Sequence, residues 1–135
     1  MNVIKKNFLY RLPVLLYCTF IFWQSSYPSL DSLPSFAFSD KFMHLGAYGL
    51  LGFLVIRALY REKLAISKTW LIFAAILFST LYGISDEIHQ SFVSARCADG
   101  FDVIADAAGS TLGILLFHRW NKKKPAPKKH SNAGL

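Results

Sequence analysis

Apolar residues in this chain gather into four long runs, with no strict alternation of apolar and polar positions. The runs cover about residues 12–26, 41–60, 69–92 and 101–120. Each approaches the roughly 20 residues needed to cross a hydrocarbon layer. Backbone groups in lipid must be hydrogen-bonded within their own segment, so every run is predicted to be an α-helix. The expected fold class is all-α, an integral membrane bundle of four transmembrane helices over residues 12–120. Pro13 falls in the first turn of the first run, where a missing N–H costs nothing. That run resembles a signal peptide, but Gln24, Ser25, Ser26 and Tyr27 follow it in place of a small-residue cleavage site. Trp23 and Tyr27 suit a membrane interface, so an uncleaved helix is expected.

Composition strengthens this pattern. Of the 135 residues, 53% are hydrophobic and 16% aromatic, more than a small water-soluble core can use. The formal charge of +7 is concentrated near Lys5, Lys6 and Arg11, then from Arg57 to Lys68, then from Arg119 to Lys129. Residues 24–40 carry Pro28, Pro34 and six Ser but no Lys or Arg before Lys41, and read as an external loop. Basic residues favour the cytoplasmic side, which places residues 1–11 and the tail 121–135 inside the cell. Pro125 and Pro127 stop any further helix, and the tail is expected to be disordered. No folded module accompanies the basic tail, so nucleic acid is not an expected partner. Cys18 lies in a helix and Cys97 in a loop, poorly placed to bridge one another.

The polar residues inside the runs are the chemical signal. On the second helix Lys41, His44 and Tyr48 share a face at i, i+3 and i+7. On the third, Asp86, His89 and Gln90 share a face, with Glu87 one position round. On the fourth, Asp99, Asp102 and Asp106 repeat the i, i+3, i+7 spacing, and Gly109 and Gly113 continue it inward. In the orientation read from the basic residues, all three stripes lie near the outer membrane face. Ionisable groups in hydrocarbon cost about 2.5 to 3.5 kcal/mol each, so these carboxylates are expected to pair. The expected partners are Lys41, His44, His89 and Arg96.

Such a network either locks three helix ends together or forms a site. As a site, it would bind a lipid-linked or amphiphilic envelope molecule, with Lys41 and Arg96 meeting phosphate or carboxylate. An alternative is a hydrolase or transferase acting on a lipid-linked phosphate, with Glu87 or His44 as general base. A third reading is a helper subunit, or a homo-oligomer, packing through Gly46, Gly49 and Gly52 or Gly113. His44, Asp86, Glu87 and His89 include metal-ligand types, but their spacing matches no metal motif, and neither a metal nor another cofactor is expected.

Three segments carry a resemblance: DKFMHLGAYGLLGFL at 40–54, YGISDEIHQSFVSAR at 82–96 and DGFDVIADAAGSTLG at 99–113. In their order and spacing they are similar to the VanZ-like family of small bacterial membrane proteins, named after a protein linked to teicoplanin resistance. The resemblance covers about residues 40–116. It implies a membrane bundle in the inner membrane of a bacterium, a place in the cell envelope and an influence on antibiotic susceptibility. The chain has Ser94 and Ala95 where the family often has Pro-Gly, and Asp106 where it often has Asn.

Overall fold

The computed structural model describes residues 3–28, 39–62, 64–94, 96 and 98–122. Helix α1 spans Val3–Ser25, α2 Ser39–Arg61, α3 Lys68–Gln90 and α4 Gly100–Lys122. Each has 23 residues, a length of about 34 Å at 1.5 Å per residue. No strand occurs among the described residues. The all-α class therefore holds, and α2, α3 and α4 are each long and apolar enough to cross a membrane. Helix α1 equals them in length, but Lys5, Lys6, Arg11 and Gln24 interrupt its apolar stretch and it falls short of that measure. Residues 29–38, Cys97 and the tail beyond Lys122 lie outside the described residues, with the loop, disulfide and disorder expectations that concern them.

Helices α2 to α4 begin and end within about two residues of the expected bounds, but α1 begins at Val3 rather than near residue 12. The apolar run marks where lipid begins, whereas a helix ends where its hydrogen bonding ends. Lys and Arg are good helix formers and continue the helix into the polar region. Pro13 consequently sits inside α1, beyond its first turn. There it cannot donate to the carbonyl of Leu9, four residues earlier. At the start of α3, Ser67 accepts from the Trp70 amide at 3.3 Å, satisfying one donor of the first turn.

Consecutive helices run in opposite directions, so α2 and α4 lie parallel and make the most extensive contact in the molecule. Glycine creates it. A Cβ on Gly113 would collide with the Gly49 carbonyl, and one on Gly109 with the Leu45 carbonyl. One on Gly52 would stand 2.5 Å from the Ser110 carbonyl oxygen. Gly109 and Gly113 form a small-xxx-small pair that brings the two backbones together, which is how helices gain packing when the surrounding solvent is itself apolar.

The distribution of side chains is inverted relative to a water-soluble bundle. Phe20, Leu50, Phe73, Ile104 and Leu116 face outward, whereas Ser79, Asp106 and Ser110 are completely enclosed, at 0% exposure. An apolar core of Leu51, Val55, Ile56, Ala75, Ile114 and Phe117 fills the bundle toward the Arg61 end of α2. Above it, toward the Lys41 end, the interior becomes polar.

Candidate functional site

At the Lys41 end, α2 and α4 are joined by charge before they are joined by glycine. Lys41 Nζ donates to Asp99 Oδ2 at 2.6 Å and to Asp102 Oδ1 at 3.1 Å. Asp99 stands immediately before α4 and also accepts from the Phe101 amide at 2.9 Å, capping that helix. These bonds, that of Lys41 foremost, hold the Asp99 carboxyl below the usual carboxylate range. Its own amide donates to Glu87 Oε2 at 2.9 Å, tying α3 into the same corner.

One turn deeper, the His44 ring lies between two carboxylates. Nδ1 is 3.0 Å from Asp106 Oδ1, and Nε2 is 3.8 Å from Glu87 Oε1. Asp106 fits because α3 has Gly83 opposite it; a Cβ there would collide with the Asp106 carboxylate. Tyr48 follows on α2, its ring parallel to that of His44 with centroids 6.2 Å apart. The expected i, i+3, i+7 stripes on α2 and α4 thus meet at two rungs, Lys41 with Asp99 and Asp102 and His44 with Asp106. Asp106 Oδ2, Glu87 Oε1 and the Tyr48 hydroxyl are buried without a hydrogen-bond partner in the structure. Leaving such groups unmet costs about 1 to 3 kcal/mol each, so polar atoms of this kind mark a place for water or ligand.

Asp86 and Glu87 are neighbours in sequence but project about 100° apart on α3. Glu87 turns toward α2 and α4, and Asp86 toward α1. Gln90 Nε2 donates to Asp86 Oδ2 at 3.0 Å and reaches Ser25 Oγ of α1 at 3.5 Å. A cavity of about 280 Å³ opens here between α1, α2 and α3. Asp40, His44, Tyr48, Asp86, Gln90 and Arg96 line it together with Gln24 and Ser25 of α1, and apolar Phe20, Ile21, Met43 and Ala47 are interspersed among them.

The expected pairings are met in part. Lys41 and His44 engage carboxylates; His89 and Arg96 do so with none among the described residues. His89 turns toward α1 instead, with Nε2 3.0 Å from Ser26 Oγ and its ring stacked on Phe22 at 4.4 Å. Arg96 Nε donates to the Tyr27 carbonyl at 3.0 Å and lines the cavity. Lys41 does not line it, because two aspartates hold its ammonium group on the other side of α2.

His89 therefore cannot join a metal set with His44, Asp86 and Glu87. Ligand atoms of Asp40, His44 and Asp102 do come within 4.8 Å of one another, although the Lys41 ammonium already contacts Asp102. Asp40, Ser25 and the α1 wall of the cavity escaped the sequence reading. Asp40 sits four residues before His44, a spacing that could have revealed it; the wall from α1 left no polar periodicity to find.

An imidazole held by one carboxylate and facing another can accept or pass a proton, and the cavity can hold the polar end of an amphiphile. The family described as VanZ/LLP1 matches residues 7–121, which takes in most of α1 as well as the three motif-bearing helices up to residue 121. No curated protein and no solved structure matches the chain. With a match covering most of its length and a bundle of apolar helices, the chain belongs to the VanZ/LLP1 family of membrane proteins.

Proposed function

We propose that this chain crosses the bacterial inner membrane four times, with both termini in the cytoplasm, and binds a lipid-linked or amphiphilic envelope molecule from the outer side. Helix α1 supports the fourth crossing because it runs the length of the bundle. Arg11 Nε donates to Glu62 at one end, and Ser26 meets His89 at the other. The basic residues support the orientation: Arg11, Arg57, Arg61, Lys68, Arg119 and Lys122 all fall at the end opposite the carboxylate cluster.

The observation that carries the binding reading is the cavity, which is lined by ionisable and apolar side chains together and bordered by the buried Tyr48. Arg96 meets an anionic group of the ligand, with Asp86, Gln90 and His44 reading its hydroxyl or amide groups. Lys41 serves to hold α2 against α4. Binding of an envelope intermediate would alter susceptibility to antibiotics that act on the envelope. The enzyme alternative draws on His44, which Asp106 orients and Glu87 approaches; it requires turnover of a lipid-linked phosphate.

The test measures lipid extracts retained by purified wild type, Asp86→Asn and Arg96→Ala, alongside survival of cells carrying each at matched membrane levels during lipoglycopeptide challenge. The expected outcome is at least a tenfold loss of a retained envelope amphiphile, about 1.4 kcal/mol of binding, and survival like that of a deletion strain. Folded variants with wild-type retention and survival would reduce the cluster to a helix lock.

A further inference from the structure

At the end of the bundle away from the carboxylates, two guanidinium groups share one aromatic ring. Cζ of Arg57 lies 5.0 Å from the centroid of Tyr10, and Cζ of Arg61 lies 5.5 Å from it. The two arginines are spaced i, i+4 on α2, where like charges repel. Ring contact attracts each cation but neutralises neither. Among the described residues no carboxylate stands within ion-pair distance of either, because the adjacent Glu62 is engaged by Arg11 at 2.6 Å. Arg61 Nε is moreover buried without a hydrogen-bond partner. Two cations held together, half-withdrawn from solvent and lacking a counter-charge, form a place for an anion.

The surface beneath them shows which kind of anion. Moving down α2 from Arg57 in steps of three, four and seven residues leads to Leu54, Leu50 and Met43 on the same flank. Leu50 and Met43 are both exposed. A small phosphate would satisfy the guanidinium groups but leave this stripe uncovered. An anionic phospholipid matches both parts.

We propose that Tyr10, Arg57 and Arg61 form a headgroup site for an anionic phospholipid, with its phosphodiester at the arginine pair and an acyl chain along Leu54, Leu50 and Met43. The arginine pair stands at the opposite end of the bundle from the α1–α2–α3 cavity, and only Met43, at the far end of the acyl stripe, also borders that cavity. Tyr10 holds the two guanidinium groups in position, and Arg57 and Arg61 contact the phosphate.

Native mass spectrometry of the full chain in detergent tests this, with phosphatidylglycerol or phosphatidylcholine supplied in equal amounts and inorganic phosphate in a third arm. Wild type is expected to retain phosphatidylglycerol at least tenfold over phosphatidylcholine. The preference should disappear in the Arg57→Gln, Arg61→Gln double variant. It should persist in Arg119→Gln and Lys122→Gln, which remove basic residues from the same end, and in Asp86→Asn, which alters only the cavity. Should the double variant fail to fold, the single variants Arg57→Gln and Arg61→Gln take its place, each expected to lower the preference while Arg119→Gln and Lys122→Gln leave it unchanged. Equal retention of the two lipids by wild type would overturn the proposal. So would a preference lost equally on removal of Arg119 or Lys122, which would mean diffuse attraction, or displacement of the lipid by millimolar phosphate, which would mean a free-anion site.

Discussion

Asp106 makes the interior of this bundle expensive to disturb. It is wholly enclosed, one oxygen holds His44 and the other has no partner. Asp106→Ala leaves a buried imidazole facing an empty space, and the expected loss is about 3 kcal/mol. Asp106→Asn keeps an oxygen toward Nδ1 and should cost about 1 kcal/mol. Unfolding midpoints of the purified protein in detergent separate the two; equal midpoints would remove His44 pairing from the account. Asp99 adds a dependence on pH. Its carboxyl is held below the ordinary value, so its stabilising effect is fully present above the unfolded value of about 3.9 and is lost as pH falls through the lower folded value. The midpoint difference between wild type and Asp99→Asn should therefore stay constant from about pH 7 to pH 5 and shrink below about pH 4. A difference that instead grows in acid would contradict the Lys41–Asp99 bond.

Between elements, the α2–α4 contact is the least tolerant part of the molecule. Gly113 and Gly109 face backbone atoms that cannot rotate away, whereas Gly46 has nothing within 4 Å of its missing Cβ. Ala at 109 or 113 must push the helices apart, also stretching the His44 and Lys41 bonds, which lie one and two turns from Gly109; about 2 kcal/mol or more of destabilisation is expected. Gly46→Ala should be neutral or stabilising by up to about 1 kcal/mol, since Ala is the better helix former. Thermal unfolding of the three variants in one detergent checks the contrast, and comparable losses at all three would show that helix propensity, not the close approach, governs this face.

For the whole molecule, the central expectation is that α1 crosses the membrane beside α2 and α3. Its partners at both ends support that path, but its apolar stretch is weaker than those of the other helices. Reporter fusions at the two termini, together with thiol labelling of Gln24→Cys in a Cys-free background, should place both termini inside and position 24 outside. An external amino terminus would leave three crossings and put α1 on the surface of the membrane. The same inverted distribution of residues explains why the protein needs lipid around it: outward Phe, Leu and Ile side chains on all four helices leave a large apolar surface exposed.

Local periodicity determined much of this architecture. Hydrophobic runs set the number of helices and the bounds of α2 to α4, because the length of an apolar segment and the 3.6-residue repeat are properties of consecutive residues. The same repeat put Lys41, His44 and Tyr48 on one face, and Asp102 and Asp106 on another, before any contact between them was known. Which face meets which neighbour is decided by packing across helices. Only the tertiary structure turned Asp86 toward α1 and Glu87 toward α2 and α4, used up Lys41 on two aspartates, and gave His89 to Ser26. It also brought Ser25 and Phe20 of α1 to the cavity that Arg96 borders. One residue along a helix is a rotation of about 100°, so a choice between neighbours depends on helix positions that no stretch of consecutive residues encodes.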